Sequence, residues 1–149
     1  MEKNITVYER LVAFKKKYPM TLAWRLRKHA DIIEKHLNPD EKVLYAFAAQ
    51  KNDNPLDILS TFAVVLTNKR IMLGRKRILF GYFFTAITPD LFNDLKVFMG
   101  IIWGRIYIDT VKEFTPISNI DRNALPEIET KITEFMMEEK RKMGYIDEI

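Results

Sequence analysis

From residue 43 to residue 117 the chain is a series of short apolar segments, rich in β-branched and aromatic residues. Turn-forming residues separate them, such as the polar loop 51–55, the pair Asn68-Lys69 and the run 88–90. This pattern is typical of antiparallel strands joined by short connections. Seven strands at this spacing indicate a barrel or a sandwich. The predicted strands are 43–50, 60–67, 70–75, 78–85, 95–99, 101–109 and 113–117.

Helical patterns flank this β-region. Residues 6–18 predict one helix, which Pro19 ends, and Thr21 is a suitable N-cap for a second helix running to Leu37. A third helix begins after Asp121 or Asn123, with Pro126 in its first turn and Gly144 as its stop. One face of this helix is apolar, so we expect it to cover an open end of the β-structure; that face carries Leu125, Ile128, Ile132, Phe135, Met136 and Met143.

Composition narrows the classes of function. The 149 residues contain no Cys and two His, which excludes thiolate metal sites and disulfides and leaves little for zinc or triad chemistry. The net charge is +4, with a mildly basic N-terminal part and an acidic tail, and nucleic-acid binders usually concentrate far more positive charge on one face, so nucleic-acid binding is not expected. The longest apolar runs are shorter than the roughly 18 residues that a spanning helix needs. The N-terminus has no signal-peptide pattern, and we expect a cytoplasmic protein.

Five segments resemble a known family. Residues 38–44, NPDEKVL, resemble the opening of bacterial pleckstrin-homology-like (PH-like) domains, and residues 62–73, FAVVLTNKRIML, resemble their most specific signature. Residues 81–84, 101–108 and 114–117 are similar to the later strands of that family. The resemblance implies an α+β fold, a PH-like barrel of seven antiparallel strands in two near-orthogonal sheets, capped by the C-terminal helix. It divides the chain into an N-terminal helical extension (1–37), a PH-like domain (38–143) and a tail (144–149).

PH domains act as binding platforms, so the resemblance implies a module without catalysis. Classical phosphoinositide binders use basic residues in the first strands and the loop between them, whereas the loop here, 51–57, has two acids and one base. We therefore expect protein or peptide interaction or self-assembly. Peripheral binding to anionic lipid is the alternative. We expect no cofactor, no metal, no catalytic residue and no small-molecule substrate, since neither a P-loop nor a GxGxxG motif is present.

Three basic groups are candidates for binding an anion or a lipid. Each group also has a structural explanation: helix-dipole stabilisation for the first, a structural turn for the second and a solvated hairpin tip for the third. The hairpin arginine of the second group is also suited to pairing with a carboxylate. The three groups are Lys15, Lys16 and Lys17; Lys69 and Arg70; and Arg75, Lys76 and Arg77. We expect most of the aromatic residues that follow the third group, Phe80, Tyr82, Phe83 and Phe84, to be core residues.

Aromatic residues on polar faces are candidates for an interaction surface. Trp24 lies on the polar side of the second predicted helix, which favours either packing on the first helix or on a turn of the barrel, or an oligomer interface. Trp103, Arg105 and Tyr107 share one face of a predicted strand. That face is either an exposed binding stripe or the surface beneath the helical pair.

Overall fold

The strand-forming segments all become strands in the structure, a computed structural model that describes residues 6–144. Three helices accompany them, and short 3₁₀ turns precede β2 and α3. The helices are α1 (Val7–Lys17), α2 (Leu26–His36) and α3 (Leu125–Lys142). The strands are β1 (Val43–Gln50), β2 (Thr61–Thr67), β3 (Ile71–Lys76), β4 (Tyr82–Ile87), β5 (Phe92–Met99), β6 (Trp103–Thr110) and β7 (Phe114–Asp121).

The strands form one curled antiparallel sheet in the order β4-β3-β2-β1-β7-β6-β5. Each strand pairs with its neighbour in sequence, except that β1 pairs with β7 and that β4 and β5 are not paired with each other. The β1–β7 ladder has a single residue pair, Gln50 with Ser118. The sheet therefore consists of two halves, β1–β4 and β5–β7, joined at one seam. The seven-stranded PH-like architecture with its helical cap is confirmed.

Helix α3 closes the inner face of the sheet. Its side chains Leu125, Ile128, Ile132 and Met136 are buried in the same cluster as Phe47, Val64, Ile106 and Ile117 from the strands. Pro126 lies in the first turn, and Gly144 follows the helix with φ +78°. Burial of this stripe contributes several kcal/mol at about 25 cal/mol per Å².

The helical pair covers the outer face of β1–β3. Small residues on the strands let it approach closely, among them Ala46, Ala48 and Ala63, which pack with Leu11 and Ile33. Gly74 on β3 allows the closest approach, because an added Cβ there would lie 2.9 Å from Cδ1 of Ile33. None of the helices α1–α3 covers the outer face of β5–β7. Helix α3 contacts these strands on the inner face of the sheet.

The second helix begins later than Thr21. Residues 18–25 are not helical, and α2 begins at Leu26 after Arg25, which has a left-handed backbone. Thr21 is buried and its hydroxyl accepts a hydrogen bond from the Asp121 N–H (2.9 Å). Leu22 N–H donates to the Asn119 carbonyl (3.0 Å). The segment between the helices lies along β7 because these backbone groups find partners there.

The fourth strand also differs from the prediction. It begins at Tyr82 rather than at residue 78, and the basic residues 75 and 76 belong to β3. Residues 77–81 form the turn, closed by the Arg77 N–H bond to the Gly81 carbonyl (3.1 Å). The expectation that the following aromatics are mostly core is wrong, since Phe80, Tyr82 and Phe83 are exposed and only Phe84 is half-buried. The tail proposed at 144–149 lies outside the described residues beyond Gly144.

Candidate functional site

The β2–β3 hairpin is closed by a buried carboxylate. Glu41 lies just before β1, and its side chain accepts two hydrogen bonds from Arg70, Nε to Oε2 (3.0 Å) and Nη2 to Oε1 (3.1 Å). The Thr67 hydroxyl donates to the same carboxylate (2.6 Å). Burial alone would raise the pKa of Glu41, but these hydrogen bonds and the charge of Arg70 hold it below its usual value. The result is a charge-assisted clamp on the hairpin.

Arg70 has a further internal partner. Its Nη2 also donates to the carbonyl of His36 (2.9 Å), the last residue of α2. Lys69 forms an ion pair with Asp40 (3.2 Å) on the surface. The most specific segment of the sequence resemblance therefore ties β2, β3, α2 and the 37–42 connection together.

The lysine run of α1 has its own neighbours. Lys15 Nζ donates to the carbonyls of Pro19 (2.7 Å) and Thr21, and burial lowers its pKa. Lys17 pairs with Glu127 at the start of α3 (2.8 Å), and Lys16 is exposed. Lys15 and Lys17 thus connect α1 to the segment that follows it and to α3.

The β3–β4 hairpin carries the third basic group, gathered around one aromatic ring. The cationic groups of Arg75 and Arg77 lie 4.7 Å and 5.2 Å from the ring centroid of Phe83, and that of Lys51 lies 5.8 Å away. Arg75 Nη1 also donates to the Leu59 carbonyl (3.0 Å). Burial, with a contribution from Arg77, lowers the pKa of Arg75. Lys76 is half-buried, and its N–H donates to Nδ1 of His29 (3.0 Å).

The tip of this hairpin is apolar and exposed. Ile78, Leu79 and Phe80 are 53%, 81% and 81% accessible to solvent. Leu59 of the β1–β2 loop lines a shallow cleft with residues 75–80, and Leu56 of the same loop is also exposed. Sequence reasoning missed this surface because it assigned the apolar run to a buried strand. The signal that was available is the direct succession of three cations and three apolar residues before Gly81.

The aromatic candidates occupy separate places. Trp24 is 50% exposed in the segment before α2. Trp103 is half-buried, and its Nε1–H donates to the Met20 carbonyl (2.6 Å), beneath the segment that joins the helices. Arg105 and Tyr107 lie on the uncovered face of β6, where Arg105 pairs with Asp53 (3.4 Å) and Tyr107 stacks on Phe114 (4.8 Å).

A cleft of about 340 Å³ opens beside the third basic group. It lies between β3–β4 and the start of β7, and its walls include Phe62, Leu73, Phe83 and Thr115. Within residues 6–144, no group of three or more His, Asp or Glu side chains is placed to hold a metal ion. No helix in that part of the chain is long and apolar enough to cross a bilayer.

Comparison with known proteins decides the family. The family model described as "Bacterial PH domain" matches residues 37–147. The chain belongs to the bacterial PH domain family. The crystal structure of a pleckstrin homology domain from Shewanella amazonensis SB2B is 14% identical, covering 76% of this chain and 89% of that chain with a TM-score of 0.48. No curated protein matches the sequence.

In this bacterial PH domain the helical pair lies entirely before the matched residues. It nevertheless contributes core side chains, since Ala30 and Ile33 of α2 are fully buried against the sheet. The Arg70 bond to the His36 carbonyl crosses the same boundary. The helices before residue 37 are therefore packed as part of one hydrophobic structure with the domain.

Proposed function

We propose that this bacterial PH domain is a non-catalytic binding module that docks on an anionic lipid surface through the β3–β4 hairpin. Residues 38–143 are the module in this proposal, the N-terminal helices brace it, and it works in the cytoplasm. The observation that carries the proposal is the exposed apolar tip, residues 78–80, directly beside the cations of Arg75, Lys76 and Arg77.

Each part of this surface suits one layer of a bilayer interface. Apolar side chains at the tip gain by leaving water for the acyl boundary, at about 25 cal/mol per Å² of buried apolar area. Cations next to anionic headgroups add about 1 kcal/mol each. Exposed apolar side chains that continue a basic strand are otherwise a cost in solubility, which supports a docking role.

Vesicle flotation tests the proposal. The chain should float with vesicles of phosphatidylcholine and phosphatidylglycerol, less so as salt rises, and not with phosphatidylcholine alone. The variant Leu79→Ser/Phe80→Ser should lose most of this binding. The variant Lys76→Gln/Arg77→Gln should weaken it by about tenfold or more, as the loss of two cations beside the tip implies.

A matched control is available at the other exposed apolar turn, between β5 and β6. Ile101 is 90% exposed and Ile102 is also exposed, so Ile101→Ser/Ile102→Ser removes exposed apolar side chains from a turn that does not belong to the β3–β4 hairpin. This control should float like the unmodified chain. Equal loss in both variants, or no salt-sensitive binding at all, contradicts docking through the β3–β4 hairpin.

Protein or peptide interaction, in the form of self-assembly, is the second candidate, and the free edge of β5 favours it. Gly100 N–H donates to the Trp103 carbonyl (3.0 Å) at the β5–β6 turn. Hydrogen-bonded pairs alternate along an antiparallel ladder, so the odd-numbered residues of β5, such as Leu95, direct their backbone groups to the free edge. There Leu95 N–H is bonded to the Asp94 side chain (2.8 Å).

Charge selects one register for two such edges. If Leu95 faces Leu95 of a second copy, each Asp94 faces a Lys96, whereas a shift of one step either way opposes like charges. Asp94→Lys and Lys96→Asp should each reduce association in sedimentation velocity, and the double exchange should restore it. A monomer at all concentrations, or no restoration, removes this second candidate and leaves lipid docking untouched.

A further inference from the structure

The cleft beside Phe83 has a mixed lining. Its deepest walls are the nearly buried apolar side chains Phe62 and Leu73, and its outer part includes Lys51 and Arg75. A volume of about 340 Å³ falls in the range of small-molecule sites, which are mostly apolar with a few placed polar groups. The cleft is thus large enough for a ligand with an apolar body.

A polar atom in the wall has no partner. The Thr115 hydroxyl is buried and makes no hydrogen bond, although Thr115 lines the cleft. Thr115 is opposite Ile108 in the β6–β7 ladder and shares its inward direction. Buried hydroxyls are nearly always hydrogen-bonded, and one that is left without a partner destabilises the fold. The hydroxyl oxygen is closed to solvent in this rotamer, so a ligand oxygen in the cleft would satisfy it after rotation of the Thr115 side chain about χ1.

The charge around the cleft favours an anion. The cations of Lys51, Arg75 and Arg77 surround the Phe83 ring, three positive charges against two nearby carboxylates. Two carboxylates oppose them, since Glu113 also lines the cleft and Asp57 interacts with Arg75. The lowered pKa of Arg75, caused by burial and then by Arg77, agrees with an excess of positive charge there.

We propose that this cleft binds an amphipathic anion, with its apolar body on Phe62 and Leu73, an oxygen on the Thr115 hydroxyl, and its negative charge near Lys51 and Arg75. The anionic group is a carboxylate or a phosphate, carried by a free molecule or by a lipid in a bilayer. The inference goes beyond docking of the hairpin tip, because it concerns residues of the cleft rather than residues 78–80.

Isothermal titration calorimetry of the full chain tests the proposal, with dodecanoate as the probe below its micelle concentration. Dodecanoate should bind with one-to-one stoichiometry. Acetate, which lacks the apolar body, and dodecyltrimethylammonium, which reverses the charge, should not bind. Dodecyl phosphate as a free probe and vesicles containing phosphatidic acid then distinguish a soluble ligand from a bilayer lipid.

Three variants locate the binding. Thr115→Val removes the hydroxyl at constant shape and should weaken dodecanoate binding by several-fold without lowering the melting temperature, because the hydroxyl has no protein partner. Lys51→Gln should weaken it by about tenfold, the size of one charge-assisted contact. Thr85→Trp fills the cleft from an exposed position on β4 and should abolish binding. The controls are Thr133→Val and Lys131→Gln, on the exposed face of α3.

The proposal is overturned if dodecanoate shows no saturable binding, or if Thr115→Val and Thr85→Trp bind it as the unmodified chain does. A lower melting temperature in Thr115→Val would also contradict it, since the hydroxyl would then have a structural role. Failure of hairpin docking is a separate result: Leu79→Ser/Phe80→Ser should still bind dodecanoate.

Discussion

Two basic hairpins of the same sheet half differ in what surrounds their cations. In the β2–β3 hairpin, Arg70 is bonded to Glu41, whose side chain is fully buried. In the β3–β4 hairpin, Arg75 and Arg77 lie over Phe83, and the apolar tip beyond them is open to solvent. The first arrangement holds the fold together, whereas the second leaves charge and apolar surface available for binding.

The difference shows that a basic turn has no single meaning. A cation with a buried carboxylate partner has its donors occupied, so its substitution affects stability first. A cation over an exposed ring keeps most of its donors free for solvent or for a ligand. Stability and binding should therefore separate cleanly between the two hairpins.

Removing the carboxylate that clamps the β2–β3 hairpin should have the largest effect on the free energy of unfolding. Glu41→Ala leaves the Arg70 guanidinium and the Thr67 hydroxyl without their carboxylate, and we expect a loss of about 3 kcal/mol in the free energy of unfolding. Urea denaturation followed by circular dichroism measures it. The conservative Glu41→Gln should lose less. A loss below about 1 kcal/mol for Glu41→Ala would show that the clamp is not structural.

Acid should destabilise the fold through His29, which contacts the β3–β4 hairpin at Lys76. Burial, with the charges of Arg25 and Arg75 opposing the Trp24 carbonyl, lowers the pKa of His29 to about 4 from 6.5. The unfolded chain thus binds the proton more readily, and His29 contributes stability that is complete above pH 6.5 and declines toward pH 4. The contribution is up to about 3 kcal/mol.

Substitution of His29 isolates this effect. His29→Asn keeps an acceptor for the Lys76 N–H but cannot titrate, so stability should no longer fall between pH 6.5 and pH 4.5. The Glu41 carboxylate, whose pKa is lowered, contributes stability that is lost only as the pH falls below its ordinary value of 4.5. An unchanged slope in His29→Asn would assign the acid sensitivity to another group.

The turn of the β3–β4 hairpin has room for a side chain at Gly81, but the backbone conformation there disfavours most residues. Gly81 has φ +71° and nothing within 4 Å of an added Cβ, so Gly81→Ala should cost about 1 kcal/mol from the backbone alone. Gly81→Asn should cost less, because Asn adopts this conformation more readily. Thermal denaturation checks the order of the two variants, and equal melting temperatures would contradict it.

The smallest effect on stability is expected at the tip itself. Leu79→Ser/Phe80→Ser changes side chains that are 81% exposed, so the free energy of unfolding should change by about 0.5 kcal/mol or less. Chemical denaturation measures the change beside the vesicle experiment. A large loss would mean that the tip packs on the domain and is not available for docking.

The sequence predicted the strands well because their signal is local. β-branched residues between turn signals place β1 at residues 43–50, as observed, and the other strands within a few residues except at the start of β4 and the end of β7. The apolar run at 78–80 misled the prediction, since hydropathy does not distinguish a buried strand from an exposed turn. Gly81, with its positive φ, was the local sign that the turn lies later.

Long-range partners were beyond sequence reasoning. Arg70 was expected to suit a carboxylate, but the choice of Glu41, 29 positions away, depends on the path of the chain before β1. Thr21 has the side chain of a helix cap, yet its hydroxyl bonds to Asp121, 100 positions away. In both cases a tertiary contact decides between local alternatives.

Amide hydrogen exchange on anionic vesicles tests the contrast between the hairpins most directly. With vesicles of phosphatidylcholine and phosphatidylglycerol, exchange should slow at residues 77–81 and stay unchanged at residues 67–70, compared with the chain in solution. Protection at 67–70, or no protection at 77–81, would contradict the assignment of binding to the β3–β4 hairpin.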